Sequence, residues 1–171
     1  MPLPSAFDIQ GKRIIVTGAA MGIGFAMAQR FVEAGAHVLA ADREEGVLHA
    51  AVAHLSGPGR VVPVVCDVAA DGAGPALAGR AVEALGGVDV LVNNAGIFPQ
   101  TPTLEMGEEL FDRVLRTNLR GLVFISKAVA AEMVRQGRGG KIINVGSIDS
   151  FRPSMVGLAA YDASKGAVLM F

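Results

Sequence analysis

Cysteine is nearly absent here: Cys66 is the one thiol among 171 residues, so no intrachain disulfide holds the fold. It follows the run Val61-Val62-Pro63-Val64-Val65 and reads as a small buried thiol at a strand end, not a nucleophile. Histidine is scarce as well, and His37, His49 and His54 form no ligand spacing with the cysteine, which argues against a metal centre. An excess of either charge is missing. With 15 basic and 16 acidic residues the formal net charge is -1, and no segment is markedly basic, so nothing recommends a nucleic-acid partner or an anionic membrane surface. A small neutral ligand or cofactor fits better. Hydrophobic residues make up 51% of the chain and the mean hydropathy is +0.46, yet the longest uncharged stretch near the N-terminus is broken by a glycine turn and cannot span a membrane. The opening Met1-Pro2-Leu3-Pro4-Ser5-Ala6-Phe7-Asp8 lacks the basic start, apolar core and cleavage site of a secretory signal. We therefore expect a cytoplasmic protein whose apolar excess lies in buried parallel strands. At this length it forms one domain, 1–171.

Strand and helix signals alternate along the whole chain, which predicts an α/β fold with a doubly wound parallel sheet of the Rossmann type. Strands are expected at 13–16, 36–41, 61–65, 88–92 and 141–146, and helices at 25–32, 44–55, 71–85 and 108–136. The strand starting at Arg13 should be central, flanked by those near Ala36 and Val88. Between the first strand and helix lies Val16-Thr17-Gly18-Ala19-Ala20-Met21-Gly22-Ile23-Gly24. Glycines at such a turn let the main chain approach a pyrophosphate, which the free N–H groups and dipole of a helix N-terminus favour. The spacing is G-x-x-x-G-x-G, and three glycines alone also suit a tight turn with no ligand.

Asp42 ends the second strand, 18 residues beyond Gly24, where an acidic side chain in this fold can accept hydrogen bonds from the adenosine ribose. Its plainer role is an acidic cap for the following helix, and the two are compatible. The same carboxylate would repel a 2′-phosphate and so points to NAD over NADP, although Arg43 beside it could receive that phosphate. Further on come Asp67-Val68, which alone is also an ordinary turn before a helix, Asn93-Asn94-Ala95-Gly96 after the fourth strand, and Ser147 after the fifth. Asn118 is a polar interruption of the wide apolar face of the 108–136 helix, and either needs a partner inside or faces solvent. Tyr161 and Lys165, four apart in Tyr161-Asp162-Ala163-Ser164-Lys165, share one face if helical.

This ordered set resembles the short-chain dehydrogenase/reductase family over 9–170. The resemblance implies an oxidoreductase that moves a hydride between NAD(H) and a small secondary alcohol or ketone. It implies that Gly18, Met21, Gly22, Ile23, Gly24 and Asp42 hold the pyrophosphate and adenosine ribose, and that Asp67 and Val68 meet the adenine. One of the paired asparagines stabilises the sheet while the other, Asn94, lies with Ala95 and Gly96 against the nicotinamide end. The implied catalytic set is Asn118, Ser147, Tyr161 and Lys165. Tyr161 exchanges the proton with the substrate oxygen and Ser147 donates to that oxygen. Lys165 also hydrogen-bonds the nicotinamide ribose, and Asn118 bends its helix and holds a water leading to Lys165. A free tyrosine, with pKa near 10, is a poor base at neutral pH, and a neighbouring ammonium favours the phenolate.

The family also implies a homodimer or homotetramer when full length. Ser147 and Tyr161 are 14 apart, one residue more than the family pattern leads us to expect, which implies an insertion in the loop over the substrate. The chain stops within the helix of Tyr161, so the domain is expected to be incomplete at its C-terminus, lacking its last strands. Phe98, Ile148, Phe151 and Met155 suggest an apolar rim to the pocket. The competing reading is a non-catalytic dinucleotide-binding scaffold or sensor of the same fold.

Overall fold

β1 (Arg13–Thr17) is buried along its whole length, as the continuous run of branched residues requires of a central strand in a parallel sheet. In this computed structural model it pairs in parallel with β2 (His37–Asp42) on one side and β4 (Val90–Asn93) on the other. β3 (Val61–Val65) and β5 (Lys141–Asn144) lie outside these, giving the order β3-β2-β1-β4-β5 with every pair parallel. Residues 8–154 and 157–171 are described. The opening segment through Phe7, inspected above for a leader, and Met155 of the expected rim lie outside them.

Helices cover both faces. Ile14, Val16, Val38 and Val92 point to one side, where α1 (Gly22–Glu33) and α2 (Glu45–Ala53) bring Ala28, Val32 and Leu48. Ile15, Leu39 and Leu91 point to the other, where α3 (Ala73–Leu85) and α5 (Leu122–Gln136) bring Leu77, Ala81, Ile125 and Val129. The period-two alternation of β1 therefore feeds two separate cores. The helix expected over 108–136 is continuous but not uniform. α4 (Glu108–Leu115) passes into a π-helical segment, Arg116–Gly121, before α5. Last comes α6 (Ala159–Met170).

Several boundaries move for identifiable reasons. β4 starts at Val90 and not Val88, because both backbone groups of Val88 are taken by the Gln136 side chain (3.0 and 2.9 Å). β5 ends at Asn144 because the next carbonyl, that of Val145, accepts from Lys165 Nζ at 2.6 Å. α3 starts two residues late behind Gly72, whose φ of +79° is left-handed. Among the described residues no strand pairs with the outer edge of β5, and Ile142 and Ile143 there are part-exposed. No helix among them is long and apolar enough to cross a membrane.

Candidate active site

The glycine turn, the Asn-Asn-Ala-Gly segment, Ser147 and the start of α6 all follow the carboxyl ends of strands, so the topology gathers them along one rim of the sheet where β1 parts company with its two neighbours. Gly18 and Gly22 have φ of +65° and +56°, a conformation that side chains disfavour. Gly24 is needed for a different reason: a Cβ there would lie 2.0 Å from the Gly18 carbonyl oxygen. α1 starts without any side-chain cap, leaving its first N–H groups to serve something else. Met21 and Ile23 project from this turn and are mostly exposed.

Two side chains hold the turn in place. Asp42 accepts from the Ala20 N–H (3.0 Å) with Oδ2 and from the Glu44 N–H (3.2 Å) with Oδ1. It does not cap α2, which begins at Glu45 behind Glu44. Asn94 donates through Nδ2 to the carbonyls of Thr17 and Gly18 (3.0 and 3.1 Å), and Thr17 Oγ1 accepts from the N–H groups of Asn94 and Ala95. Asn93 faces the other way, donating to Ser126 Oγ (2.8 Å) and Asn144 Oδ1 (2.9 Å) and so tying β4 to α5 and β5. The paired asparagines thus divide the work between sheet and turn. Asp67 closes its own turn by accepting from Ala69 N–H (2.9 Å) and is exposed, whereas Val68 is buried. Arg43 is turned onto Glu44, Nε to Oε1 at 3.1 Å.

Asn118 is 1% exposed, which removes the solvent-facing alternative. Sitting within the π-helical segment, it pairs with Ile97 as a strand neighbour would: Oδ1 accepts from the N–H at 2.8 Å and Nδ2 donates to the carbonyl at 2.9 Å. The same Nδ2 donates to Ser164 Oγ (3.0 Å), which donates to the Tyr161 carbonyl (2.6 Å). This side chain accordingly connects the loop after β4 with the helix of Tyr161. Gly96 lies beside it.

On α6, Lys165 is 5% exposed and its ammonium sits 5.8 Å from the centre of the Tyr161 ring. Burial pushes the Lys165 pKa below its ordinary value. The edge of Tyr161 meets the ring of Phe98 at 6.1 Å between centroids. Ser147 caps the short turn Ile148–Ser150. Its Oγ donates to Asp149 Oδ2 and accepts from the Asp149 N–H, both at 3.1 Å, and α6 packs on that turn. Phe98, Ile148 and Phe151 stand exposed around it.

Residues that sequence reasoning missed are Thr17, Ser164 and Asp149. Ser164, a poor helix former in a helix interior, carried a legible signal of the kind that singled out Asn118. Asp149 carried one too, since a serine followed two residues later by an aspartate suits a local side-chain turn.

The arrangement has counterparts. A sorbitol dehydrogenase of Cereibacter sphaeroides is 38% identical over 166 residues, covering 94% of this chain and 62% of the relative. The chain therefore spans about 62% of that relative's length. A crystal structure of a short-chain type dehydrogenase/reductase from Mycobacterium marinum superposes with a TM-score of 0.91 at 36% identity, covering 96% of this chain and 67% of that one. An NAD+-bound xylitol dehydrogenase gives 0.88 at 32% identity, covering 95% and 62%. The family model described as short chain dehydrogenase matches residues 12–171, and with it the chain belongs to the short-chain dehydrogenase/reductase family.

Proposed function

We propose that the protein in which 1–171 forms the dinucleotide-binding and catalytic domain, incomplete at the C-terminus, is an NAD-dependent oxidoreductase acting on a secondary alcohol or ketone. The observation that carries this reading is the Lys165 ammonium, buried against the Val145 carbonyl and poised beside the ring of Tyr161 on one helix face. A buried cation is costly unless it is used or compensated, and here a single backbone carbonyl is its only hydrogen-bond partner among the described residues.

The residues present fit a dinucleotide. The glycine turn takes left-handed backbone angles at Gly18 and Gly22, the uncapped start of α1 offers N–H groups to a pyrophosphate, and Asp42 keeps lone pairs for ribose hydroxyls beyond those spent on Ala20 and Glu44. Arg43 is directed to Glu44, and the Asp42 carboxylate favours a 2′-hydroxyl over a 2′-phosphate, which supports NAD. The NAD+-bound xylitol dehydrogenase of the same fold agrees.

When bound, the nicotinamide supplies the hydride acceptor or donor. Tyr161 exchanges the proton at the substrate oxygen, and Lys165 stabilises negative charge on the phenol oxygen through the field of its ammonium. Ser147 gives that oxygen a hydrogen bond after turning its hydroxyl from Asp149. Asn118 fixes α6 through Ser164, setting where Tyr161 stands.

The test is Tyr161→Phe in the full-length protein, with turnover by steady-state kinetics and cofactor affinity by NADH titration. Turnover should fall about 10²–10⁴-fold while the NADH Kd stays put. Near-normal turnover on a good substrate would remove Tyr161 from the reaction and require a different acid, whereas NADH binding with no turnover by the unmodified protein would favour the scaffold reading.

A further inference from the structure

Ser147 spends its hydroxyl proton on Asp149, at 3.1 Å. A hydroxyl has one proton, so when Ser147 donates to a substrate oxygen it must withdraw that bond, and Asp149 loses a donor at the moment the substrate is engaged. The loss matters because of the surroundings. Asp149 is half-buried, and its neighbours in sequence Ile148 and Phe151 expose apolar side chains. Among the described residues no cation stands within ion-pair distance of it, and its other oxygen, Oδ1, has no hydrogen-bond partner.

From this we infer that Asp149 is a specificity-determining residue that selects alcohols carrying a second hydroxyl on the carbon next to the reacting one; the inference rests on the dehydrogenase reading above. The geometry supports it in two steps. A substrate oxygen bonded to Ser147 Oγ lies about 2.7–2.8 Å from it, and the Asp149 carboxylate is 3.1 Å from that same Oγ. With both groups around one Oγ, a hydroxyl on the neighbouring carbon can reach Asp149 when the substrate's carbon chain runs from Ser147 toward Asp149, and it can then donate in place of the proton that Ser147 withdrew. A simple secondary alcohol offers no replacement, and a carboxylate on that carbon meets repulsion. Asp149 selects here through the substrate and does not itself exchange a proton at the reacting oxygen.

The experiment compares kcat/KM for 2,3-butanediol and 2-butanol, with longer matched pairs from pentane to octane, in the full-length protein and in Asp149→Asn and Asp149→Ala. The ratio within a pair does not depend on the fraction of active protein. The unmodified protein should favour the diol about tenfold to a hundredfold, the range expected of a hydrogen bond to a charged group. Asp149→Asn, which keeps shape and removes charge, should cut the ratio at least about threefold, and Asp149→Ala should bring it near one. A ratio unchanged in Asp149→Asn overturns the assignment while leaving the dehydrogenase reading intact. Failure of the unmodified protein to oxidise any member of the panel with either NAD or NADP overturns that reading and this one together.

Discussion

Replacing Asp89 should cost the fold more than any other single charge, and the structure says by how much. Arg13, at the start of the central strand, is 9% exposed. Its guanidinium grips Asp89 at two points, Nε to Oδ2 at 2.8 Å and Nη2 to Oδ1 at 2.5 Å, while its own N–H donates to Oδ2 at 2.9 Å and Nη1 donates to the Gly86 carbonyl at 2.6 Å. These bonds hold the Asp89 carboxyl down to about 2, from an ordinary 3.8, equivalent to about 2 kcal/mol of stability from the charged form alone. Because the folded-state value is the lower one, that contribution is complete above about pH 4 and is lost as the pH falls through about 2. Asp89→Ala does more than remove it, since it leaves the Arg13 guanidinium buried without a counter-ion, and the expected loss at pH 7 is about 3–5 kcal/mol. The paired replacement Arg13→Met with Asp89→Leu removes both charges and should recover most of that loss. The assay is urea unfolding of the full-length protein followed by circular dichroism, at pH 7 and stepwise down to pH 3. The difference between unmodified protein and Asp89→Ala should narrow at the acid end. A loss below about 1 kcal/mol at pH 7 would place the pair with solvated surface ion pairs and refute the argument.

Two further substitutions probe the cofactor cleft. Gly24→Ala puts a methyl group 2.0 Å from the Gly18 carbonyl and 2.5 Å from Asn94 Nδ2, so the turn must open and the Asn94 bond to Gly18 must lengthen or break; NADH affinity should fall at least about fivefold by titration, from roughly 1–3 kcal/mol of overpacking. Asp42→Ser removes the charge that opposes a 2′-phosphate, so the kcat/KM ratio of NADP to NAD should rise; the idea is abandoned if the unmodified enzyme already prefers NADP.

How much of this was readable in advance follows from the range of the interactions involved. β1 and its parallel partners were legible because a strand buried on both faces must be apolar throughout, and alternation of such runs with amphipathic segments leaves few other folds. The glycine turn was legible because glycine at a strand-to-helix corner is a local demand. The late start of β4 was not, since it depends on Gln136, 48 residues away from Val88, taking that residue's backbone groups. The role of Asn118 was half legible. A polar residue in an apolar face announces a partner, but Ile97 and Ser164 become its partners only after β4 and α6 are packed beside it. Ser147 and Asp149 show the reverse case: their bond spans two residues and was open to a local reading, yet its consequence appears only when the folded rim is seen to bring no cation among the described residues to ion-pair distance of Asp149.

The π-helical segment explains why a helix so apolar tolerates Arg116, Asn118 and Arg120 in one short stretch. Arg116 donates to the Ala69 carbonyl (3.0 Å) and, with Arg120, to Asp71, while Gly121 packs so near the Val68 carbonyl that a Cβ would lie 2.5 Å from it. Those contacts fix the loop between β3 and α3, where the family resemblance implies that Asp67 and Val68 meet the adenine. Asn118 lies about half a turn round from Arg116 and Arg120 and fixes the loop after β4 and the helix of Tyr161. One six-residue segment is therefore the mount for both ends of the cleft. The exposed ion pairs to Asp71 add little stability by themselves; the Ala69 carbonyl bond and the contact at Gly121 set the loop's position. Residues two apart stand on opposite faces of the helix, so the segment faces two loops that approach from different strands. The position of Asn118 relative to Gly121 is thereby constrained from both sides at once, by the backbone of Ile97 on one and that of Val68 on the other.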